Sequence, residues 1–121
     1  YNTVDKAKKA VAFTVLMPDA MPEGYVFAGV STINDELFQI SYKNGDSEIL
    51  YRTAEGTEDI SGDYNVYKNE KSLKIAGIDV TIKGNEGAAK ATWTKDGLTY
   101  SIYADKEISE QDITNIIASI R

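Results

Sequence analysis

The dipeptide Asn44-Gly45 restricts the fold of this chain more than any other feature, because it separates two segments in which apolar and polar residues alternate. An Asn-Gly pair favours the two-residue turn of a β-hairpin, since both turn positions then adopt a positive φ. With the turn at these two residues, Ile40 faces Ile49 across the hairpin. Phe38 then faces Tyr51, so the large apolar side chains fall on one face. The sequence therefore predicts two antiparallel strands that meet at this turn.

Two other dipeptides that end in glycine predict hairpins of the same kind. At Asp96-Gly97, pairing of the flanking residues places Trp93 opposite Tyr100 on one face. At Ala76-Gly77 the same rule applies, although alanine is unfavourable where φ is positive. We therefore expect each of these dipeptides to close a hairpin with a short turn.

Further strands are expected on both sides of the first hairpin. Residues 25–33 carry apolar side chains on both faces, which is typical of a strand in the centre of a sheet. Tyr64, Val66 and Tyr67 are expected to begin another strand. The chain thus predicts about six or seven strands joined by short turns, which is typical of an antiparallel meander.

Both ends of the chain are expected to form helices. Asn2 or Thr3 can cap a short N-terminal helix that runs to about Ala12. Near the C-terminus, Ser109 and Asp112 form a capping box before a stripe of isoleucines at helical spacing. Burial of that stripe outweighs the modest helix propensity of β-branched residues, so this helix is expected to lie on the sheet.

The length and composition are those of a single α+β domain. The chain has 121 residues, of which 42% are hydrophobic and 26% are charged, and this is enough for one core. We therefore expect one domain over residues 1–121, with an antiparallel meander sheet and the N-terminal and C-terminal helices packed on it. No stretch approaches the roughly 18 consecutive apolar residues of a membrane span.

The absence of cysteine and histidine from the sequence excludes several functional classes. Without these residues the chain has no thiolate nucleophile, no imidazole base, no disulfide and no zinc site built from them. The net charge of −6, from 13 basic and 19 acidic residues, argues against binding to a phosphate backbone. We expect no enzymatic activity, no cofactor, no bound metal and no nucleic-acid partner. A hydrolase that uses two carboxylates is the weakest alternative.

One acidic segment has the spacing of a calcium loop. Residues 59–65 place oxygen-bearing side chains at every second position, and Glu70 lies at the twelfth position. Tyr64 stands where such a loop needs glycine for its sharp bend, and no helices are expected on either side. Weak calcium binding by this segment is therefore a minor hypothesis.

The chain contains eight tyrosines and one tryptophan, a composition compatible with an aromatic platform for a ligand. Tyrosine is also common in strands, so most of these rings are expected in the core or in cross-strand pairs. Tyr67 and Tyr103 are the two tyrosines that we expect to be exposed. They are therefore the candidate surface for a ligand or a partner.

Several motifs along the chain together carry a family resemblance. They are Met21-Pro22-Glu23-Gly24-Tyr25, Ile40-Ser41-Tyr42-Lys43-Asn44-Gly45, Ala91-Thr92-Trp93, Asp96-Gly97-Leu98-Thr99-Tyr100-Ser101 and the closing isoleucine helix. Through these motifs the chain resembles domain-of-unknown-function family 4367 over nearly its whole length. The motifs are turns, strand aromatics and a helix cap, so the resemblance implies a fold and no catalytic residue.

The resemblance also implies a setting for the domain. Members of that family are bacterial, often form the outer part of a protein anchored by one membrane helix, and sometimes accompany anti-sigma or envelope-sensing modules. An extracytoplasmic location is therefore expected, with the membrane anchor in an N-terminal segment outside this chain. The first residue is Tyr1 rather than methionine, as expected of a piece cut from a longer precursor.

Two functions of different classes follow as expectations. The first is a noncatalytic extracytoplasmic sensor or interaction domain that binds a protein or envelope component through a sheet face or a strand edge. The alternative is a lipid or lipopeptide carrier, in which Phe27, Phe38 and Trp93 line an apolar cavity between the sheet and the helices. The identity of the partner and the oligomeric state stay open.

Overall fold

The computed structural model describes residues 3–56, 60 and 66–120 of the chain. Its helices are α1 (Val4–Ala10) and α2 (Glu110–Ala118). Its strands are β1 (Val26–Ile33), β2 (Leu37–Asn44), β3 (Ser47–Glu55), β4 (Asn69–Ile75), β5 (Ile78–Gly84), β6 (Ala88–Lys95) and β7 (Leu98–Ile108).

These strands form one sheet in the order β1-β2-β3-β7-β6-β5-β4, and every neighbouring pair is antiparallel. The predicted α+β class, with an antiparallel sheet and a helix near each end of the chain, is confirmed. The strands do not form one continuous meander, however. The segments β1 to β3 and β4 to β7 are two separate meanders, and β7 joins them by pairing with β3. The chain consequently passes from β3 in the middle of the sheet to β4 at its edge.

β1 lies at the other edge of the sheet, so the prediction of a central strand over residues 25–33 is wrong. Its apolar residues are not all covered, because Val26, Phe27 and Ile33 are exposed. Val30 is the one buried residue of this strand. Apolar residues on both faces therefore reflect an uncovered edge here rather than a strand buried on both sides.

The first hairpin turns one residue later than the Asn-Gly rule predicts. Asn44 pairs with Ser47, so the turn residues are Gly45 and Asp46. Gly45 has a φ of 59° and is the one residue of this turn in the left-handed region. A positive φ at the first turn position alone is typical of a type II′ turn, which needs a single glycine. The glycine therefore determines the position of the turn.

The later turn changes the cross-strand partners within this hairpin. Ile40 pairs with Tyr51 rather than with Ile49. Phe38 pairs with Thr53 rather than with Tyr51. Because both shifts equal two residues, each side chain keeps the face that was predicted for it. The predicted apolar face is therefore correct although the individual partners are wrong.

The other two hairpins have the predicted turns. Asp96 and Gly97 both have a positive φ, of 53° and 80°. Trp93 pairs with Tyr100, and the two rings stack with their centroids 5.3 Å apart. Ala76 has a φ of 50° and occupies its turn position despite the steric cost of the Cβ atom. The residues at these turns are sufficient to determine the local register.

A single hydrophobic cluster joins both helices to one face of the sheet. α2 contributes three buried isoleucines to this cluster, namely Ile113, Ile116 and Ile117. The sheet contributes large buried side chains that include Phe38, Ile40, Ile49, Tyr51, Trp93 and Ile102. The Ser109 side chain caps α2, because its Oγ accepts a hydrogen bond from the backbone N–H of Asp112 over 3.0 Å. The predicted C-terminal helix and its docking on the sheet are thus confirmed.

α1 is shorter than predicted, since it ends at Ala10 rather than near Ala12. Thr3 caps this helix, and its Oγ1 accepts a hydrogen bond from the backbone N–H of Lys6 over 3.2 Å. Ala7 is fully buried where α1 lies against the sheet. The N-terminal helix is therefore held by a cap and by one small buried residue, Ala7.

Hydrogen bonds hold the segment between α1 and β1 at two places. The Tyr51 hydroxyl donates a hydrogen bond to the carbonyl oxygen of Leu16 over 2.6 Å. The backbone N–H groups of Asp19 and Ala20 both donate to Oγ of Ser119, each over 3.0 Å. This segment is thus connected to the centre of the sheet and to the end of α2.

The strand that was expected to begin at Tyr64 to Tyr67 begins later. Tyr64 lies outside the described residues, and β4 starts at Asn69. Val66 is exposed to solvent and belongs, with Tyr67, to the connection from β3 to β4. Val66 therefore lies in the connection before the sheet and not in a strand, so the strand pattern at this point is misleading.

Candidate functional site

The two edges of the sheet differ sharply in charge. Along β4 the exposed side chains include Glu70, Lys71 and Lys74. The Lys71 ammonium lies 2.7 Å from a carboxylate oxygen of Glu110 on α2. Charged side chains on an edge strand discourage pairing with another chain, because a further strand would have to remove them from water. The β4 edge is therefore protected.

The β1 edge has no such protection. The sequence of β1 is VFAGVSTI, which contains no charged residue and no proline. Val26 is 65% exposed, Phe27 is 52% exposed and Ile33 is 45% exposed. An uncharged edge strand with exposed apolar side chains is a surface on which a further strand can pair. We define these three exposed residues and the backbone of β1 as the β1 edge, and it is the candidate functional site.

A β-bulge divides the β1 edge into two parts. Phe27 pairs with Tyr42 and Gly29 pairs with Ser41, so Ala28 is the extra residue. The ring of Phe27 meets the ring of Tyr42 edge to face, with centroids 6.5 Å apart. A Cβ atom added at Gly29 would have no neighbour within 4 Å, so the space beside the bulge is open. The edge can therefore accept a side chain from outside at this point.

The exposed apolar residues lie on opposite faces of the sheet. Phe27 shares the helix-covered face with its partner Tyr42. Ile33 pairs with Leu37, one residue before the buried Phe38, and so lies on the opposite face. A strand added beside β1 also directs its side chains alternately to both faces. The edge can therefore contact apolar residues on either face of an incoming segment.

A groove with a volume of about 490 Å³ lies at the end of the β1 edge, where β1 turns into β2. Its apolar lining includes Phe13, Ile33 and Leu37. Glu36 and Glu55 also line it. Because Ile33 belongs to both surfaces, the groove continues the β1 edge rather than forming a separate site.

A carboxylate on β7 makes several hydrogen bonds to another loop. The Glu107 carboxylate accepts hydrogen bonds from the backbone N–H groups of Gly87, Glu86 and Asn85, over 2.6, 2.8 and 2.9 Å. These donors lower the pKa of Glu107 from its ordinary value, because they stabilise the charged form. These hydrogen bonds hold the loop between β5 and β6 against Glu107 of β7.

Three tyrosines have a pKa shifted in the opposite sense. Burial raises the pKa of Tyr51, Tyr100 and Tyr42 above the ordinary value, because the phenolate would lose its hydration. These hydroxyls therefore stay neutral well above physiological pH. General acid–base catalysis works best with a group whose pKa lies near neutral pH. The pKa shifts of Glu107 and of these three tyrosines are all directed away from neutral pH.

Tyr67 and Tyr103 are half-buried rather than exposed. Tyr103 lies on β7, where it pairs with Lys90 of β6 and Leu50 of β3. Tyr67 precedes β4, at the other end of the strand order from β1. Both tyrosines make interactions within the chain. The structure therefore places them apart from the β1 edge, to which the pattern of tyrosines does not point.

The three residues expected to line a lipid cavity differ in burial. Phe38 and Trp93 are buried in the core cluster. Phe27 stands half exposed on the edge strand.

The calcium-loop hypothesis falls largely on residues that the structure does not describe. Asp59, Ser61, Asp63 and Asn65 lie outside the described residues. Glu70 is described, and its carboxylate lies 3.2 Å from the ammonium of Lys83. Within residues 3–56, 60 and 66–120, no cluster of three acidic side chains could hold a metal ion.

Comparison with known proteins places the domain in a family. Neither helix in the described part of the chain has the length and apolar character needed to cross a membrane. Among curated proteins, none matches the sequence. The model of a domain family of unknown function, DUF4367, matches residues 15–120, a range that covers the whole sheet and α2. The chain therefore belongs to the DUF4367 family.

Proposed function

We propose that this chain is a noncatalytic, extracytoplasmic interaction domain of a membrane-anchored bacterial envelope protein, and that it binds an extended segment of a partner protein along β1. The observation that supports this proposal is the contrast between the two edges of one sheet. β4 carries exposed charges, whereas β1 carries none and exposes apolar side chains. Addition of a strand to an exposed sheet edge is a general mode of peptide recognition.

The free energy of binding available at the β1 edge is that of a reversible complex. Val26, Phe27 and Ile33 are each about half exposed, so covering them contributes roughly 1 kcal/mol per residue. Each backbone hydrogen bond to the added strand contributes about 0.5–1.5 kcal/mol. The ordering of a flexible segment offsets part of this gain. A transient contact, as in signalling, is therefore expected rather than a permanent complex.

A different protein is a better partner than a second copy of the chain. The chain has a net charge of −6, so two copies repel each other. Exposed acidic residues also lie at both ends of the β1 edge, with Glu23 before β1 and Glu36 after it. Pairing of β1 with β1 would bring these carboxylates close together. A neutral or basic segment avoids that cost.

Site-specific cross-linking tests the proposed edge. A photoreactive benzoylphenylalanine is placed at Phe27 in the full-length protein in cells, and at Ser72 on β4 as the matched control. The proposal expects one defined protein adduct from position 27 and none from position 72. The Phe27→Lys substitution should abolish the same adduct when the probe is moved to Ile33. Identical adducts from both edges, or no adduct from β1, would refute the proposed edge.

The extracytoplasmic location is supported by the family resemblance, and it can be tested separately. The chain lacks cysteine, so the exposed Ser72→Cys variant carries one reactive thiol in this domain. A membrane-impermeant maleimide should label this thiol in intact cells to the same extent as in lysed cells. Labelling that requires lysis would place the domain in the cytoplasm. Native mass spectrometry of the same protein reports copurified lipid, and a stoichiometric lipid would favour the carrier function instead.

A further inference from the structure

The groove at the end of the β1 edge indicates what chemistry the partner segment carries, and this inference rests on the proposed function. The groove combines an apolar lining with acidic side chains. Phe13, Ile33 and Leu37 are only partly buried and form the apolar part. Such a lining suits the aliphatic part of a long side chain.

The charged side chains that line the groove all have one sign, and the Arg52 guanidinium nearby donates a hydrogen bond to the carbonyl oxygen of Ile60 over 3.1 Å. Its lining includes Asp35, Glu36 and Glu55 and contains neither lysine nor arginine. Asp35 accepts a hydrogen bond from the Thr32 hydroxyl over 2.6 Å, which fixes its position. Glu36 and Glu55 are exposed, and no ion pair involves them in the described part of the chain. The groove is therefore complementary to a cation on an aliphatic stem.

Lysine and arginine have this combination of a charged head and an aliphatic stem. We propose that the partner segment carries a lysine or arginine that enters the groove while the rest of the segment runs antiparallel to β1. The apolar contacts at the edge provide affinity, and the carboxylates provide selectivity for a basic segment.

Strand geometry places the basic residue within the partner segment. All neighbouring strands of the sheet are antiparallel, and an added strand in the same pattern has its N-terminal end beside Ile33 and the groove. Its C-terminal end then lies beside Val26. With a rise of about 3.3 Å per residue, these two ends are roughly 23 Å apart. The basic residue therefore lies N-terminal to a stretch of about eight residues with alternating apolar side chains.

A random peptide library is the probe for this proposal. Phage-displayed peptides of about eleven residues are selected on the folded domain, and binding of the enriched peptides is mapped by the amide NMR shifts of β1. We expect enriched peptides with alternating apolar residues and a lysine or arginine near the N-terminal end. Selection on a Glu36→Gln, Glu55→Gln double variant should retain the alternation and lose the basic residue.

Single substitutions measure the contribution of each carboxylate. With one enriched basic peptide, Glu36→Gln and Glu55→Gln should each weaken binding about twofold to fivefold at low salt. Glu23→Gln removes the same charge at the far end of β1, and it should change the affinity by less than about twofold.

The outcomes separate this inference from the proposed function. Peptides that bind β1 without an N-terminal basic residue would overturn the inference and leave strand addition intact. Equal effects of the variants at Glu23 and Glu36 would overturn it as well. A library that yields no peptide with NMR shifts on β1 would overturn both the inference and the proposed function.

Discussion

Replacing Ile116 with alanine measures how strongly α2 is held on the sheet. This side chain is 1% exposed and belongs to the core cluster. Truncation of a buried isoleucine to alanine costs about 2–5 kcal/mol, since apolar contacts are lost and a cavity remains. In a domain of this size, each kcal/mol lowers the Tm by about 4 °C. We therefore expect the Tm to fall by roughly 8–20 °C while the variant stays folded at low temperature.

The assay is thermal and urea unfolding followed by circular dichroism, with Asn115→Ala as the matched control. Asn115 is the preceding residue of α2 and is exposed, so its substitution should change the free energy of unfolding by less than about 0.5 kcal/mol. The m-value should be the same for both variants and the wild type, because the surface exposed on unfolding hardly changes. If Ile116→Ala lowers the Tm no more than Asn115→Ala, burial does not hold this helix and the reasoning is wrong.

Three further substitutions and one titration test other contacts. Tyr51→Phe removes the hydroxyl that donates to the Leu16 carbonyl, and urea unfolding should show a loss of about 1–2 kcal/mol. The lowered pKa of the Glu107 carboxylate contributes stability that is fully present above the ordinary pKa near 4.5 and is lost as the pH falls below it. The Tm difference between wild type and Glu107→Gln should therefore shrink as the pH falls below about 4.5 and stay constant above about 4.5. Gly84→Ala would place a Cβ atom against a backbone oxygen across the loop and should cost about 1–3 kcal/mol by the same assay. Gly29→Ala meets no atom within 4 Å and should leave the Tm within about 2 °C of wild type.

Local chemistry explains why much of the fold can be predicted from the sequence. The turn at Asp96-Gly97 and the cap at Ser109 depend on residues within a few positions of each other, and both appear as predicted. The turn near Asn44 was predicted one residue early, because a type II′ turn needs glycine only at its first central position. Sequence spacing alone does not distinguish these two turn types.

The position of β1 could not be predicted in the same way. Whether a strand is central or at an edge depends on the pairing of β3 with β7, which are far apart in the sequence. The exposed residues Val26, Phe27 and Ile33 consequently looked like residues of a buried strand. The signal for the candidate site was nevertheless present, since residues 26–33 contain no charge while the β4 segment contains several. Its meaning depends on knowing which strands are edges.

The pairing of β3 with β7 has a consequence for synthesis of the protein. Ile49 of β3 pairs with Ala104 of β7, so a ribosome must add roughly fifty residues before β3 gains its second neighbour. Until then both edges of the three-stranded sheet β1 to β3 lack a partner strand. β3 then exposes Tyr51 and the other side chains that become buried in the complete core. Nascent chains that stop before residue 98 should therefore be prone to aggregate. Joining of the two half-sheets, rather than closure of any hairpin, should set the pace of folding.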